Sequence, residues 1–169
     1  MDAAATRPMY EDEQIASRSD APLLITAATR PDVKRLAHRI HQAGARVVHP
    51  FVPVRIRAWP TMPRTIKKRW AAAFAAAAGG SVLLTGVEDM SPAFQDLFVD
   101  LIDDQRSNPP ATSPRLISGT TVSLLERVEN GTFSERLFYR LNVIHLVTGH
   151  VLGTTPSTTV TPLATHAAL

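Results

Sequence analysis

Five short apolar runs divide the chain, with longer amphipathic stretches between them. Ala21–Ala27 (APLLITA), Ser81–Val87 (SVLLTGV) and Arg115–Gly119 (RLISG) are too short for buried helices, and each carries a β-branched residue. That is the pattern of strands covered on both faces. Val47–Ile56 (VVHPFVPVRI) also reads as extended, but Pro50 and Pro53 remove ladder donors and place it at a sheet edge. Asn142–Leu146 (NVIHL) is the fifth extended segment. The intervening stretches follow the helical period. Over Val33–Ala43 the residues Val33, Leu36, Ala37, Ile40 and His41 share one face, with Asp32 as a cap before them and Gly44 as a stop after them. Thr65–Ala78 is alanine-rich, alanine being the best helix former, and ends at Gly79-Gly80. Ser91-Pro92 opens a helix whose stripe is Phe94, Leu97, Phe98, Leu101 and Ile102. Val122–Glu129 stops at Asn130-Gly131, and Phe133–Leu141 makes one more short helix.

Strands that alternate with helices predict an α/β layered domain with a largely parallel sheet over residues 21–147. Residues 1–20 are acidic and aperiodic, so a flexible leader is expected; residues 148–169, rich in Thr and Pro, read as a disordered tail. Ligands of parallel α/β sheets sit at the carboxyl ends of the strands. The turns after Ile25 and after Leu84 are therefore the first places to look for chemistry.

Composition narrows the picture. The chain has 169 residues, enough for one domain with a core, and no cysteine, which removes disulfides, thiolate nucleophiles and Cys-ligated zinc. Its apolar runs fall far short of the ~20 residues that cross a bilayer, and the acidic start is no secretory signal. A cytoplasmic location, away from membranes, is expected. The net charge of +3 is unevenly spread: between Val33 and Val87 there are ten Lys or Arg and no acid, whereas from Glu88 onward nine acids face five Lys or Arg. The basic region 55–69 is one route to nucleic-acid binding; the other reading is two oppositely charged regions facing water. The absence of an aromatic stacking platform favours the second. His38, His41 and His49 lie close in sequence with no carboxylate near them, so no metal site is expected.

Four segments, in order, resemble the central AAA+ domain of the bacterial sigma-54-dependent transcriptional activators. Leu23–Gly44 (LLITAATRPDVKRLAHRIHQAG) is similar to the family's strand, P-loop G-E-x-G-x-G-K-E and following helix. Pro50–Ile56 (PFVPVRI) resembles P-F-V-x-V-N-C. Gly79–Ile102 (GGSVLLTGVEDMSPAFQDLFVDLI) resembles G-G-T-L-F-L-D-E-I, the Walker B strand, and the helix after it. Pro114–Leu146 resembles the sensor strand and the G-x-F-R-x-D-L-Y-Y-R-L-N-V stretch that carries arginine fingers; FSERLFYRLNVIHL is its most specific part. The resemblance implies a three-layer P-loop NTPase-like fold, a protein partner in transcription or signalling machinery, and association of like subunits; the family's helical lid is expected to be missing, since the Thr-rich tail follows Leu146 instead.

The polar residues that such a site needs are largely replaced. A P-loop wraps phosphate with successive backbone N–H groups, which requires glycines, and its lysine bridges the terminal phosphates. Here the stretch is Ala27–Lys34, without glycine; an ungapped match puts Val33 at the lysine and Lys34 one step later. Pro31 removes a donor and Asp32 would repel phosphate. Only Thr29 and Lys34 remain as degenerate nucleotide-binding candidates. The Walker B acids align with Thr85 and Gly86; Glu88 and Asp89 lie close by and read as the start of the next helix, where carboxylates suit the positive end. The sensor asparagine aligns with Thr121. The first finger arginine aligns with Ser134, and the second with Arg140, which is kept as a remnant and reads as a structural or interface residue. The sigma-54-contacting string G-A-F-T-G-A is absent; its faint echo, Ala72–Ala77, aligns better with the helix before the Walker B strand. The expectation is a pseudo-ATPase without cofactor, acting by protein contacts in transcriptional regulation. The alternatives are residual ATP and magnesium binding with slow turnover, or nucleic-acid binding through 55–69.

Overall fold

The computed structural model describes residues 6–107, 109 and 112–149. Its centre is a five-stranded sheet, all parallel: β1 (Leu23–Ala27), β2 (Phe51–Arg55), β3 (Ser81–Thr85), β4 (Arg115–Thr120) and β5 (Ile144–Thr148). The strands lie in the order β2-β3-β4-β1-β5. The three interior strands are the apolar runs without proline, and β1 and β4 are buried at every position. β2, with Pro53 at its middle, is an edge strand as its prolines predict.

Alternation along each strand sends side chains to two separate cores. Leu23, Ile25, Leu83 and Ile117 pack against α1 (Thr6–Arg18) and α2 (Arg30–Ala43), through Ala16, Val33, Leu36, Ala37 and Ile40. Leu24, Val82, Leu84 and Leu116 face the other side. There they meet α3 (Pro63–Ala76), α4 (Pro92–Ser107), α5 (Leu124–Glu129) and α6 (Glu135–Leu141). Trp70, Phe74, Phe94 and Phe98 form an aromatic cluster in this second layer, with Trp70 and Phe98 edge to face at 4.7 Å. The fold is thus the expected three-layer α/β domain. Nothing larger than a 3-10 turn (Ile56–Ala58) and α3 joins β2 to β3, and Ala72–Ala76 lies inside α3.

Several local expectations are corrected. The leader expected over 1–20 contains α1, whose Ala16 and Ser17 are buried and whose Glu13 pairs with Arg39 of α2 at 2.6 Å. Its stripe is too small and polar to register as periodic. α2 begins at Arg30, three residues before Val33, because Thr29 and not Asp32 is the cap: the Thr29 hydroxyl oxygen accepts from the Asp32 N–H. Residues 47–49 form a turn rather than strand, and β2 starts only at Phe51. Glu88 and Asp89 do not begin α4. They form a separate 3-10 turn, Val87–Asp89, set off by Gly86 in the left-handed conformation (φ 77°), and α4 starts at Pro92. The tail expected over 148–169 lies, from residue 150, outside the described residues.

Candidate functional site

From β1 the chain leaves along α2 on one face of the sheet, and from the neighbouring strand β4 it leaves along α5 and α6 on the other. Adjacent parallel strands whose connections diverge in this way leave a crevice at their carboxyl ends, where ligands of α/β sheets bind. Five residues converge there. Arg30, the first residue of α2, donates from Nη2 to Asp89 Oδ2 at 2.7 Å and approaches Glu88 Oε1 at 3.9 Å. Glu88 Oε1 accepts from the Thr121 hydroxyl at 3.0 Å and from the Thr121 N–H at 3.3 Å. Arg127 of α5 donates to the Glu88 carbonyl at 3.3 Å, locking the turn that carries the carboxylate. Glu88 is 8% exposed, and its second oxygen, Oε2, is buried without a hydrogen-bond partner among the described residues.

The backbone explains why these groups meet. β1 is followed by only Ala28 and Thr29 before α2 starts, so no extended loop can wrap a phosphate. The side chain of Val33, at the aligned lysine position, is buried; a Cβ placed on Gly119 of β4 would lie 2.2 Å from Val33 Cγ1. α2 is therefore seated directly on the sheet, and only a residue without a side chain fits beneath it. Gly86 faces the Arg30–Asp89 pair: a Cβ there would lie 3.1 Å from Asp89 Oδ2 and 3.4 Å from Arg30 Nη2.

The sequence candidates divide accordingly. Glu88 and Asp89 are at the crevice, as is Thr121. Lys34 is on the exposed face of α2 and makes no hydrogen bond or ion pair among the described residues. Thr29 is engaged in its capping role, donating its hydroxyl proton to Asp32 Oδ2 at 2.5 Å. That bond and the neighbouring Arg35 hold the Asp32 carboxyl below the usual carboxylate range. Arg140 is bound within its own chain, through Nε to Asp103 Oδ1 at 2.7 Å and through Nη2 to Asp103 Oδ2 at 2.6 Å, tying α6 to α4. This fork lowers the Asp103 pKa and raises that of Arg140. Ser134 caps α6. The residue that sequence reasoning missed is Arg30. Its only signal was position: a guanidinium standing where the P-loop pattern has a glycine. Among the described residues no cluster of three or more His, Asp or Glu is arranged to hold a metal, and no helix is long and apolar enough to cross a membrane.

Comparison with known proteins places this architecture. Residues 64–147 match the family model described as the sigma-54 interaction domain. The HTH-type transcriptional regulatory protein TyrR of Enterobacter agglomerans is 30% identical over 160 residues, covering 83% of this chain and 30% of that protein. The response regulator protein PilR of Pseudomonas aeruginosa is 29% identical over 150 residues, covering 77% of this chain and 34% of its own length. The chain thus spans about a third of the length of the curated relatives it matches. Among solved structures, NtrX from Brucella abortus in complex with ATP superposes with a TM-score of 0.70 at 23% identity, over 86% of this chain and 37% of that one. The P-loop NTPase domain of an Escherichia coli sigma-54 activator gives 0.64 at 19% identity, over 87% of this chain and 96% of that one. Those two likenesses show the fold, that of a P-loop NTPase domain, and the family model shows that residues 64–147 of this chain are a sigma-54 interaction domain.

Proposed function

We propose that the domain is a pseudo-ATPase that keeps the AAA+ shape and acts through protein contacts in transcriptional control, in the cytoplasm, with association of like subunits as a further element of that role. The observation that carries this reading is Arg30. Its guanidinium lies against the two carboxylates nearest the strand ends, at 2.7 and 3.9 Å, where a nucleotide site needs acids free to face magnesium. With Arg30 on the two carboxylates and Arg127 on the Glu88 carbonyl, the crevice has no surplus of positive charge to offer a triphosphate. The two-residue turn before α2 supplies no cradle of N–H groups to offset that. In charge terms, the Arg30 guanidinium takes the part that magnesium would play against these acids.

A second reading has one observation in its favour. Glu88 Oε2 is a buried acceptor with no partner among the described residues, and burying such a group costs free energy unless something satisfies it. Residual magnesium-nucleotide binding, with Arg30 swung away, would do so; the solved NtrX, which binds ATP, has the same fold.

Titration with a fluorescent ATP analogue and magnesium separates the two. The pseudo-ATPase reading expects no saturation up to millimolar analogue and no shift of thermal unfolding, whereas a ligand at 100 times its Kd would add about 2.7 kcal/mol. Micromolar binding that is lost in Lys34→Ala or strengthened in Arg30→Ala would overturn it.

A further inference from the structure

A shallow groove of about 360 Å³ runs between the edge strand β2 and α3. Its floor is apolar: Val52 and Val54 from β2, Trp59 from the turn after it, and the small Ala72 and Ala73 of α3. Arg55 and Arg69 border it. None of these residues belongs to the cluster around Arg30.

The charge around the groove is unbalanced. Arg55, Arg57, Arg64, Lys67, Lys68 and Arg69 are all exposed, and among the described residues none of the six makes an ion pair. Four of them sit in the first half of α3, whose first turn has no acid, and Arg64 in that turn faces the positive end of the helix dipole. No acid occurs on the chain between Val33 and Val87 to relieve them. Such a patch is an arrangement that an external anion would stabilise.

Two features select the kind of anion. A nucleic-acid strand needs exposed aromatic faces or a long basic track. Here the aromatic rings are taken: Trp59 is buried with its ring stacked on Phe94 at 6.0 Å, and Trp70 lies in the core. What is left is an apolar floor with cations at its edge, which suits carboxylates flanking an apolar anchor. The open side of β2 does not favour strand addition. The ladder to β3 runs in unbroken register past Pro53, so the missing N–H falls on the free edge. The occupant is therefore held by its side chains.

We infer that this groove docks an acidic peptide segment of a partner protein, with one apolar side chain seated on Trp59, Ala72 and Ala73 and carboxylates on Arg55 and Arg69. The inference stands whether or not nucleotide binds at the Arg30 cluster.

Fluorescence anisotropy on the full chain tests it. The probe is a labelled peptide of about twelve residues, rich in Asp and Glu, with one Leu and one Phe; the same peptide with both apolar residues replaced by Gly is the comparator. Expected is micromolar binding of the first. Binding should weaken by roughly tenfold for the glycine peptide, for Arg69→Glu and for Ala72→Leu, which fills the floor from an exposed helix position. Arg136→Glu, the same charge change on the exposed face of α6, should leave binding within about twofold, and far-UV circular dichroism confirms that each variant is folded. Duplex and single-stranded DNA are titrated alongside. Absent peptide binding overturns the proposal. So does equal binding of the glycine peptide, which would reduce the groove to bare charge. DNA binding tighter than peptide, steeply salt-dependent and lost in Arg69→Glu, would make the face a nucleic-acid surface instead.

Discussion

His41 connects three parts of the chain through one ring. It is buried on the inner face of α2, with Nδ1 3.0 Å from the Ser81 hydroxyl at the start of β3 and Nε2 3.1 Å from the His49 carbonyl. Both contacts are met by the neutral ring, with Nε2–H donating to the carbonyl and Nδ1 accepting from the serine; the tautomer is assigned from these partners. Burial is the largest cause that keeps the His41 pKa below the usual 6.5; the hydrogen bond to the His49 carbonyl opposes it, and the charges of His38, Arg46 and His49 add to it. The sign of the linkage follows. The unfolded chain takes up a proton at a pH where the folded ring still refuses it, so stability is fully present above about pH 6.5 and falls as the pH drops through that value toward the lowered folded pKa. Urea midpoints between about pH 8 and 5 should decline for the natural chain, and His41→Gln should be less stable at pH 8 yet flatter with pH. A variant with an unchanged slope would show that other groups carry the dependence. The helical stripe marked His41 as inward-facing, but its two partners lie on other segments, which one-dimensional spacing does not reveal. Arg30 was hidden for the same reason: it pairs with Asp89, 59 residues away, and reads in the sequence as a surface residue ahead of a proline.

At the scale of elements, strands were the most legible, since the interior strands centre on the apolar stretches Leu23–Ile25, Val82–Leu84 and Leu116–Ile117, whereas the edge strands are interrupted by Pro53 and His145. Helix bodies followed from their stripes; starts and stops shifted wherever a neighbouring group competed for the cap, as Thr29 does with Asp32. α1 was not legible, because what holds it is mostly polar. Buried Arg115 of β4 donates from Nη1 to the Ala16 carbonyl at the end of α1 at 2.7 Å, and from Nε to the Ala21 carbonyl at 3.0 Å. Its Nη2 finds no partner among the described residues, and burial brings its pKa down to about 10, so the charge persists at neutral pH. The guanidinium gives a charged donor to the Ala16 carbonyl, which otherwise has only the long bond from the Ser19 N–H at 3.4 Å, and it satisfies the Ala21 carbonyl beyond the helix end. Arg115→Met keeps the volume and removes the donors. It is expected to cost about 1–3 kcal/mol, the range for a buried acceptor left unsatisfied. Hydrogen exchange should then quicken in α1 while β4 stays protected. Equal loss of protection in β4 would mean that the arginine holds the sheet rather than the helix. The Arg140–Asp103 fork plays the analogous part for α6 with less burial, so its removal is worth at most about 1 kcal/mol.

For the whole molecule, the sheet is the common wall of two cores, and neighbouring residues in one strand serve opposite sides: Leu23 and Leu24, Leu83 and Leu84, Leu116 and Ile117. Damage to one face should therefore be felt on the other, because neither layer can keep its strands in register alone. The two tryptophans allow a test. Trp59 and Trp70 both lie in the core against α3 and α4, so their fluorescence reports that side only. Ile40, 1% exposed, belongs to the opposite core, while Phe98, fully buried, belongs to theirs. Truncating Ile40 or Phe98 to Ala should cost about 2–5 and 3–5 kcal/mol. If the domain is one cooperative unit, Ile40→Ala will move the tryptophan transition as far as it moves the far-UV circular dichroism transition, although no tryptophan is near the site of damage. A fluorescence midpoint that stays in place while the dichroism midpoint falls would divide the molecule into two independently melting layers. The docking groove on the α3 side would then keep its shape even after the α1–α2 layer had opened.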